Sequence, residues 1–62
     1  MDTKKLAQML ADEKRWIYKN VVGYDNAIFV VNRITASLAN EFVANNPNFD
    51  RDKFYKDSDF WN

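Results

Sequence analysis

The sequence predicts an all-α fold, in which helices over residues 3–22 and 26–45 form an antiparallel hairpin and a short third helix covers residues 51–56. Two observations predict this fold. Apolar residues recur at helical spacing along both long segments, and an apolar residue followed by an aspartate stands at the predicted start of each helix. With 62 residues, the chain forms a single small helical domain, residues 1–62.

The helix-start pattern occurs three times, with a second apolar residue four positions after the aspartate. The matches are Met1-Asp2 with Leu6, Tyr24-Asp25 with Phe29, and Phe49-Asp50 with Phe54. Each aspartate can accept a hydrogen bond from a free N–H group of the first turn. The flanking apolar side chains can then pack together as a hydrophobic staple. Gly23 is predicted to be the C′ residue that closes the first helix.

Residues 46–50 are predicted to form a corner between the second and third helices. Pro47 disfavours helical backbone at Asn46 and has no N–H group to donate, so the second helix should end there. Asp50 should then cap the third helix. Because isolated helices of this length do not persist in water, the third helix must dock on the hairpin.

Both long helices have an apolar face. In the first, it consists of Leu6, Leu10, Ile17 and Val21, with Ala7, Ala11 and Tyr18 beside them. Lys14 interrupts this face, and we expect its side chain to extend outward to water. In the second, it consists of Ala27, Ile28, Val31, Ile34, Thr35, Leu38, Ala39 and Phe42.

A β-hairpin over residues 16–31 is the alternative, since strand-forming residues surround a turn there. The four-turn apolar arc favours the helix.

The composition supports little chemistry. The sequence has nine basic and nine acidic residues, no cysteine, no histidine and one glycine. These counts exclude a nucleophilic triad, a histidine–cysteine zinc site and a glycine-rich phosphate loop. A calcium loop beginning at Asp50 fails, because Tyr55 and Trp61 fall at its glycine and glutamate positions. We therefore expect a protein that is not an enzyme and has no cofactor or metal site.

The apolar segments do not predict a signal peptide or a membrane span. The N-terminal residues lack a long apolar stretch, and the longest apolar run, residues 27–31, is too short to cross a bilayer. We expect a cytoplasmic protein without a membrane partner.

Nucleic-acid binding is a weaker alternative, because acidic residues balance the basic ones. It would use Lys4, Lys5, Arg15 and Lys19, with Trp16 or Tyr18 stacking on bases.

Four large side chains are candidates for binding a protein partner: Met9, Trp16, Phe60 and Trp61. Met9 and Trp16 project from a different side of the first helix than its apolar face. They either cover the third helix and the tail or form an exposed patch. Phe60 and Trp61 either fold back over the core or insert into a partner as aromatic anchors.

A second side of the predicted second helix carries mostly small residues: Arg33, Ala36, Ser37, Asn40 and Ala44. It is interpreted as a solvated face, or alternatively as a homodimer contact or the docking site of the third helix.

Residues 38–54 resemble the C-terminal end of many small bacteriophage and prophage proteins. The resemblance rests on the helix Leu38-Ala39-Asn40-Glu41-Phe42-Val43-Ala44-Asn45, the corner Asn46-Pro47-Asn48-Phe49-Asp50, and Phe54 on the short helix that follows. It covers less than a third of the chain, and the tail after Tyr55 departs from the small-residue and cysteine ending that is common in that group. The resemblance implies a phage source and a corner geometry, but no activity.

These observations together predict a non-enzymatic binding protein of phage type that occupies a surface of a host or phage protein. Host-takeover and anti-defence inhibitors work in this way, because they need only a rigid face and a few aromatic anchor residues. The alternative is a structural or regulatory homo-oligomer whose remaining aromatic side chains bury against a copy of the same chain.

Overall fold

Three helices make up the computed structural model, which describes residues 2–60. Helix α1 spans Thr3–Asn20, α2 spans Asp25–Asn45 and α3 spans Arg51–Asp57. The two long helices form the hairpin, and α3 packs against both of them. The all-α prediction is confirmed. The β-hairpin alternative is wrong, because helices cover residues 16–31 except for the connection 21–24.

Two of the three predicted aspartate caps are present. The Asp2 carboxylate accepts a hydrogen bond from the Lys5 N–H group at 3.0 Å. Asp50 accepts one from the Lys53 N–H group, also at 3.0 Å. The staple predicted at the second of these sites is confirmed as well, because the ring centroids of Phe49 and Phe54 lie 5.6 Å apart. Met1, the outer residue of the first staple, lies outside the described residues.

The predicted cap at Asp25 is wrong. Tyr24 is the N-cap of α2; its backbone is already helical, at φ −69° and ψ −9°, and it makes no side-chain cap. Asp25 is therefore the first residue of the helix, where its charge complements the helix dipole. The predicted staple is also absent, because the Tyr24 ring packs edge-on against Tyr18 at 4.8 Å and Phe29 is 61% exposed.

Helix α1 ends two residues earlier than predicted. Its C-cap is Val21, whose backbone is extended, and the first helix therefore stops at Asn20. Gly23 has a φ of 69° but lies two residues beyond the cap rather than at C′. Its left-handed conformation, which is readily available to glycine, helps the chain reverse into α2.

Small side chains on α1 and α2 and a large one on α3 form the core. Ala7 and Ala39 are fully buried, and Phe54 is 3% exposed. The rings of Phe42, Phe49 and Phe54 pack around one another with centroid separations of 5.2 to 5.6 Å. The predicted corner and the predicted docking of the third helix are therefore confirmed.

The end of α3 folds the chain back on itself. Asp59 has a φ of 55°, and its N–H group donates to the Lys56 carbonyl at 3.3 Å. The Phe60 N–H group donates to the Tyr55 carbonyl at 2.9 Å, and the Phe60 and Tyr55 rings stack at 4.2 Å. This pair of hydrogen bonds, with its apolar contact, is a Schellman motif. The residues just after α3 are thereby held against it.

Lys14 does not extend outward as predicted; it is 1% exposed. Its Nζ atom donates to the Asn32 side-chain oxygen at 3.0 Å and to the backbone carbonyl of Asp59. The outward prediction is wrong because these two acceptors satisfy the ammonium group inside the fold. Lys14 thus joins α1 to α2 and to the turn that follows α3.

We expect Asp50→Ala to lower the free energy of unfolding by about 1 kcal/mol, because the N-cap bond at the start of α3 is lost. Asp50→Asn should retain most of the stability, since asparagine caps equally well. Asp25→Ala is the matched control and should cost at most about 0.5 kcal/mol, the value of an exposed dipole interaction. Urea unfolding measures all three. Equal losses for Asp50→Ala and Asp25→Ala would contradict the assignment of Asp50 as the cap.

We expect Lys14→Met to lower the free energy of unfolding by about 1–3 kcal/mol, because two acceptors from different segments lose their donor. Lys19→Met, an exposed change on the same helix, should stay within about 0.5 kcal/mol. Adding Asn32→Leu to Lys14→Met should recover part of the loss, because one unsatisfied acceptor is removed. An unchanged urea midpoint for Lys14→Met would show that the ammonium does not join these segments.

Candidate partner-binding surfaces

The outer face of α1, defined by Met9 and Trp16, is apolar and exposed. Met9 is 57% exposed and Trp16 is 59% exposed, while Ala7 and Ala11 on the opposite side of the helix are buried. The Trp16 carbonyl accepts a hydrogen bond from the Asn20 side-chain nitrogen at 2.8 Å. Of the two interpretations of Met9 and Trp16, these exposures favour the exposed patch. Because the face belongs to an 18-residue helix, its backbone is already ordered before any partner arrives.

The two aromatic residues of the tail are placed differently from Met9 and Trp16. Phe60 is half-buried and stacks on Tyr55, which agrees with the interpretation that the tail folds back over the protein. Trp61 lies outside the described residues. Met9 and Trp16 therefore share one face of α1, about two turns apart, and Phe60 lies on the C-terminal turn, against α3.

Helix α2 also exposes apolar residues on the side that faces away from the core. Val30 is 53% exposed and Ile34 is 49% exposed. Together with Leu38, Arg33 and Ser37 they line a shallow groove. Ile34 belongs to the apolar arc predicted for the second helix, but it is exposed. The arc is wider than the surface that α1 and α3 cover, so its edge remains in water.

The small-residue side of α2 is mostly solvated. Arg33, Ser37, Asn40 and Ala44 are exposed, and Ala36 is half-buried. The start of α3 reaches it at one point, where an Arg51 guanidinium nitrogen donates to the Asn40 side-chain oxygen at 2.8 Å. This side therefore does not serve as the main docking site of the third helix, which instead places Phe54 in the core.

By length and composition alone, α2 is at the limit for a helix that could cross a membrane. Its most apolar 18-residue segment has a mean hydropathy of 1.2, and 17% of that segment is buried in the fold. A signal sequence, or the core helix of a soluble protein, can have the same length and hydropathy. Arg33 and Glu41 lie within the helix, and charges inside a bilayer are costly.

The basic residues of α1 are partly occupied by acidic neighbours. The Arg15 guanidinium pairs with the Asp12 carboxylate and lies 3.7 Å from that of Asp59. Tyr18 packs edge-on against Tyr24. Arg15 is thus paired, whereas Lys4, Lys5 and Lys19 are exposed and form no ion pair among residues 2–60. Nucleic-acid binding therefore stays an alternative prediction.

Lys14 is the one candidate for unusual chemistry in the part of the chain that the structure describes. Burial of its ammonium group lowers the pKa of Lys14, and the Asp59 carboxylate partly offsets that effect. A buried lysine of lowered pKa can act as a nucleophile. Here, however, its Nζ atom is held by Asn32 and by the Asp59 carbonyl, and Lys14 does not line the groove on α2. Its role is structural.

No cluster of metal-ligating side chains occurs among residues 2–60. No family model, curated protein or solved structure matches the chain significantly. The resemblance of residues 38–54 to phage proteins therefore stays a prediction, and the surfaces themselves carry the argument about function.

The lowered pKa of Lys14 predicts how stability depends on pH. Between its folded-state pKa and its usual value of 10.5, the unfolded chain binds more protons than the folded one, so stability should rise with pH across that window. Below the window both states are protonated, and the burial penalty is fully present. The difference in free energy of unfolding between wild type and Lys14→Met, measured in urea from neutral to alkaline pH, isolates this effect. A difference that falls as pH rises would contradict it.

Proposed function

We propose that this chain is a non-enzymatic binding protein that acts by occupying a surface of a larger protein with the outer face of α1. The predicted resemblance of residues 38–54 to phage proteins supports a target among host or phage proteins. The single observation that carries the proposal is the exposure of Trp16, at 59%, on the same face of an ordered helix as Met9. Tryptophan is enriched among the residues that dominate binding energy at protein interfaces.

The surroundings of Met9 and Trp16 suit a protein interface. Polar and charged residues border the two apolar side chains on the same helix: Lys5, Asp12, Glu13, Lys19 and Asn20, all of them exposed. Asp12 and Glu13 lie between Met9 and Trp16 along the helix, so the two apolar side chains are separate anchor positions in a polar surface, and a few such anchors dominate the binding energy of many interfaces. Because the balanced charges give no strong field of one sign, the expected partner is a mixed protein surface rather than a polyanion.

The opposite side of α1 supports this division of roles. Ala7, Ala11 and Lys14 hold the helix to the rest of the protein. Substitutions on the outer face should therefore change binding without changing the fold.

We expect Trp16→Ala to weaken binding of the partner by about 2 kcal/mol or more, roughly a 30-fold increase in Kd, because an anchor side chain is removed. A tagged protein used for capture from bacterial lysate, followed by titration of the purified partner, makes the measurement. Met9→Ala should weaken binding less, since methionine buries less area than tryptophan.

Phe29→Ala is the matched control for this experiment. Phe29 is as exposed as Trp16, at 61%, but lies on α2. Phe29→Ala should leave capture unchanged. The free energy of unfolding of all three variants, measured in urea, should stay within about 0.5 kcal/mol of the wild type. Undiminished capture by folded Trp16→Ala would refute the proposal.

A further inference from the structure

The protein exposes more surface than its size predicts. Its accessible surface is 4652 Å². A compact monomer of 7.4 kDa is expected to expose roughly 4200 Å². The excess, about 450 Å² by that relation, is more than half of the ~800 Å² that each partner buries in a typical stable interface. The elongated shape of the molecule, 38 × 18 × 17 Å, contributes to this excess, and small domains commonly gain stability by oligomerisation.

The outer face of α2 is the apolar surface that a neighbouring helix could cover best. We define it by Val30, Arg33, Ile34, Ser37 and Glu41, all of which are exposed. Its apolar positions, Val30 and Ile34, lie one turn apart, so a second helix can pack along them. Ser37, one turn after Arg33, is small and allows the close approach of another backbone.

The charges on this face are arranged symmetrically. Arg33 and Glu41 are the only charged residues between positions 26 and 45, and they stand four residues before and four residues after Ser37. Arg33 has no acidic partner among residues 2–60. The Asn45 side-chain amide of the same helix donates to the Glu41 side-chain oxygen at 3.2 Å and to its carbonyl oxygen at 2.9 Å, and Glu41 forms no ion pair among residues 2–60.

This pattern is complementary to itself. If a second copy of α2 lies antiparallel with the two-fold axis at Ser37, Arg33 of each chain faces Glu41 of the other. A parallel copy would instead place Arg33 against Arg33, which is repulsive. A two-fold axis uses the same patch on both chains, so each opposite-charge contact occurs twice.

We propose that the outer face of α2 is covered by the same face of a second copy of this chain, in an antiparallel homodimer centred on Ser37. The dimer leaves both outer faces of α1 outside the contact. It is independent of the proposed function, because Met9 and Trp16 take no part in it.

Sedimentation equilibrium of the purified chain at about 100 µM, where a dimer of micromolar Kd is largely associated, should give twice the monomer mass of 7.4 kDa. Ile34→Glu should give the monomer mass, because it removes an apolar side chain from the contact and places a carboxylate next to Glu41 of the other chain. Val22→Glu, which introduces the same charge at a fully exposed position of the α1–α2 connection, should leave the dimer mass unchanged. Circular dichroism checks that each variant stays helical.

Charge reversal tests the antiparallel pairing itself. Arg33→Glu alone and Glu41→Arg alone should each weaken the dimer at low salt, by tenfold or more in Kd, since each places like charges together. The double variant Arg33→Glu/Glu41→Arg should restore the dimer, because the two contacts are re-formed with their signs exchanged. Failure of this restoration would overturn the arrangement about Ser37.

A monomeric wild type would overturn the whole proposal. So would a wild type that stays monomeric and sediments with phosphatidylcholine vesicles, because the face would then bind a bilayer. The failure of this proposal is distinguishable from failure of the proposed function, since Trp16→Ala should remain dimeric and Ile34→Glu should still capture the α1 partner.

Discussion

The packing of three phenylalanine rings at the corner is the constraint on which the rest of the structure depends. Phe42 comes from the end of α2, Phe49 from the corner and Phe54 from α3, and their rings are in mutual contact. Ala7 and Ala39 are small enough to let the helices approach this cluster. A seven-residue helix such as α3 has no stability of its own in water. Its position therefore comes from these rings and from the Asp50 cap.

A second, polar tie holds the other end of α3 in place. The Lys14 ammonium reaches Asn32 and the carbonyl of Asp59, and the Schellman motif fixes Asp59 in the left-handed conformation. In a protein with so few fully buried apolar side chains, one buried cation with two acceptors is a substantial part of the interior. The lowered pKa of Lys14 reflects the cost of that burial.

A chain of this size cannot bury all of its large apolar side chains, and the geometry decides which remain in water. Helix α3 covers one side of the hairpin, so the outer faces of α1 and α2 stay exposed. Trp16 marks the first and Ile34 the second. Their charges differ in kind: mixed charges border the first face, whereas Arg33 and Glu41 are placed symmetrically on the second. This difference is the physical basis for expecting a foreign protein on one face and a copy of the chain on the other.

The helical class, the proline corner, and the caps at Asp2 and Asp50 can be predicted from the amino-acid order alone, because they depend on local backbone preferences and on side chains a few residues apart. The start of α2 was misjudged at Asp25, since the turn before it had already brought Tyr24 into helical geometry. The burial of Lys14 and the exposure of Ile34 depend on the packing of distant segments. A lysine is buried when distant segments supply acceptors, and an isoleucine in an apolar arc is exposed when the neighbouring helices are too short or too few to cover it.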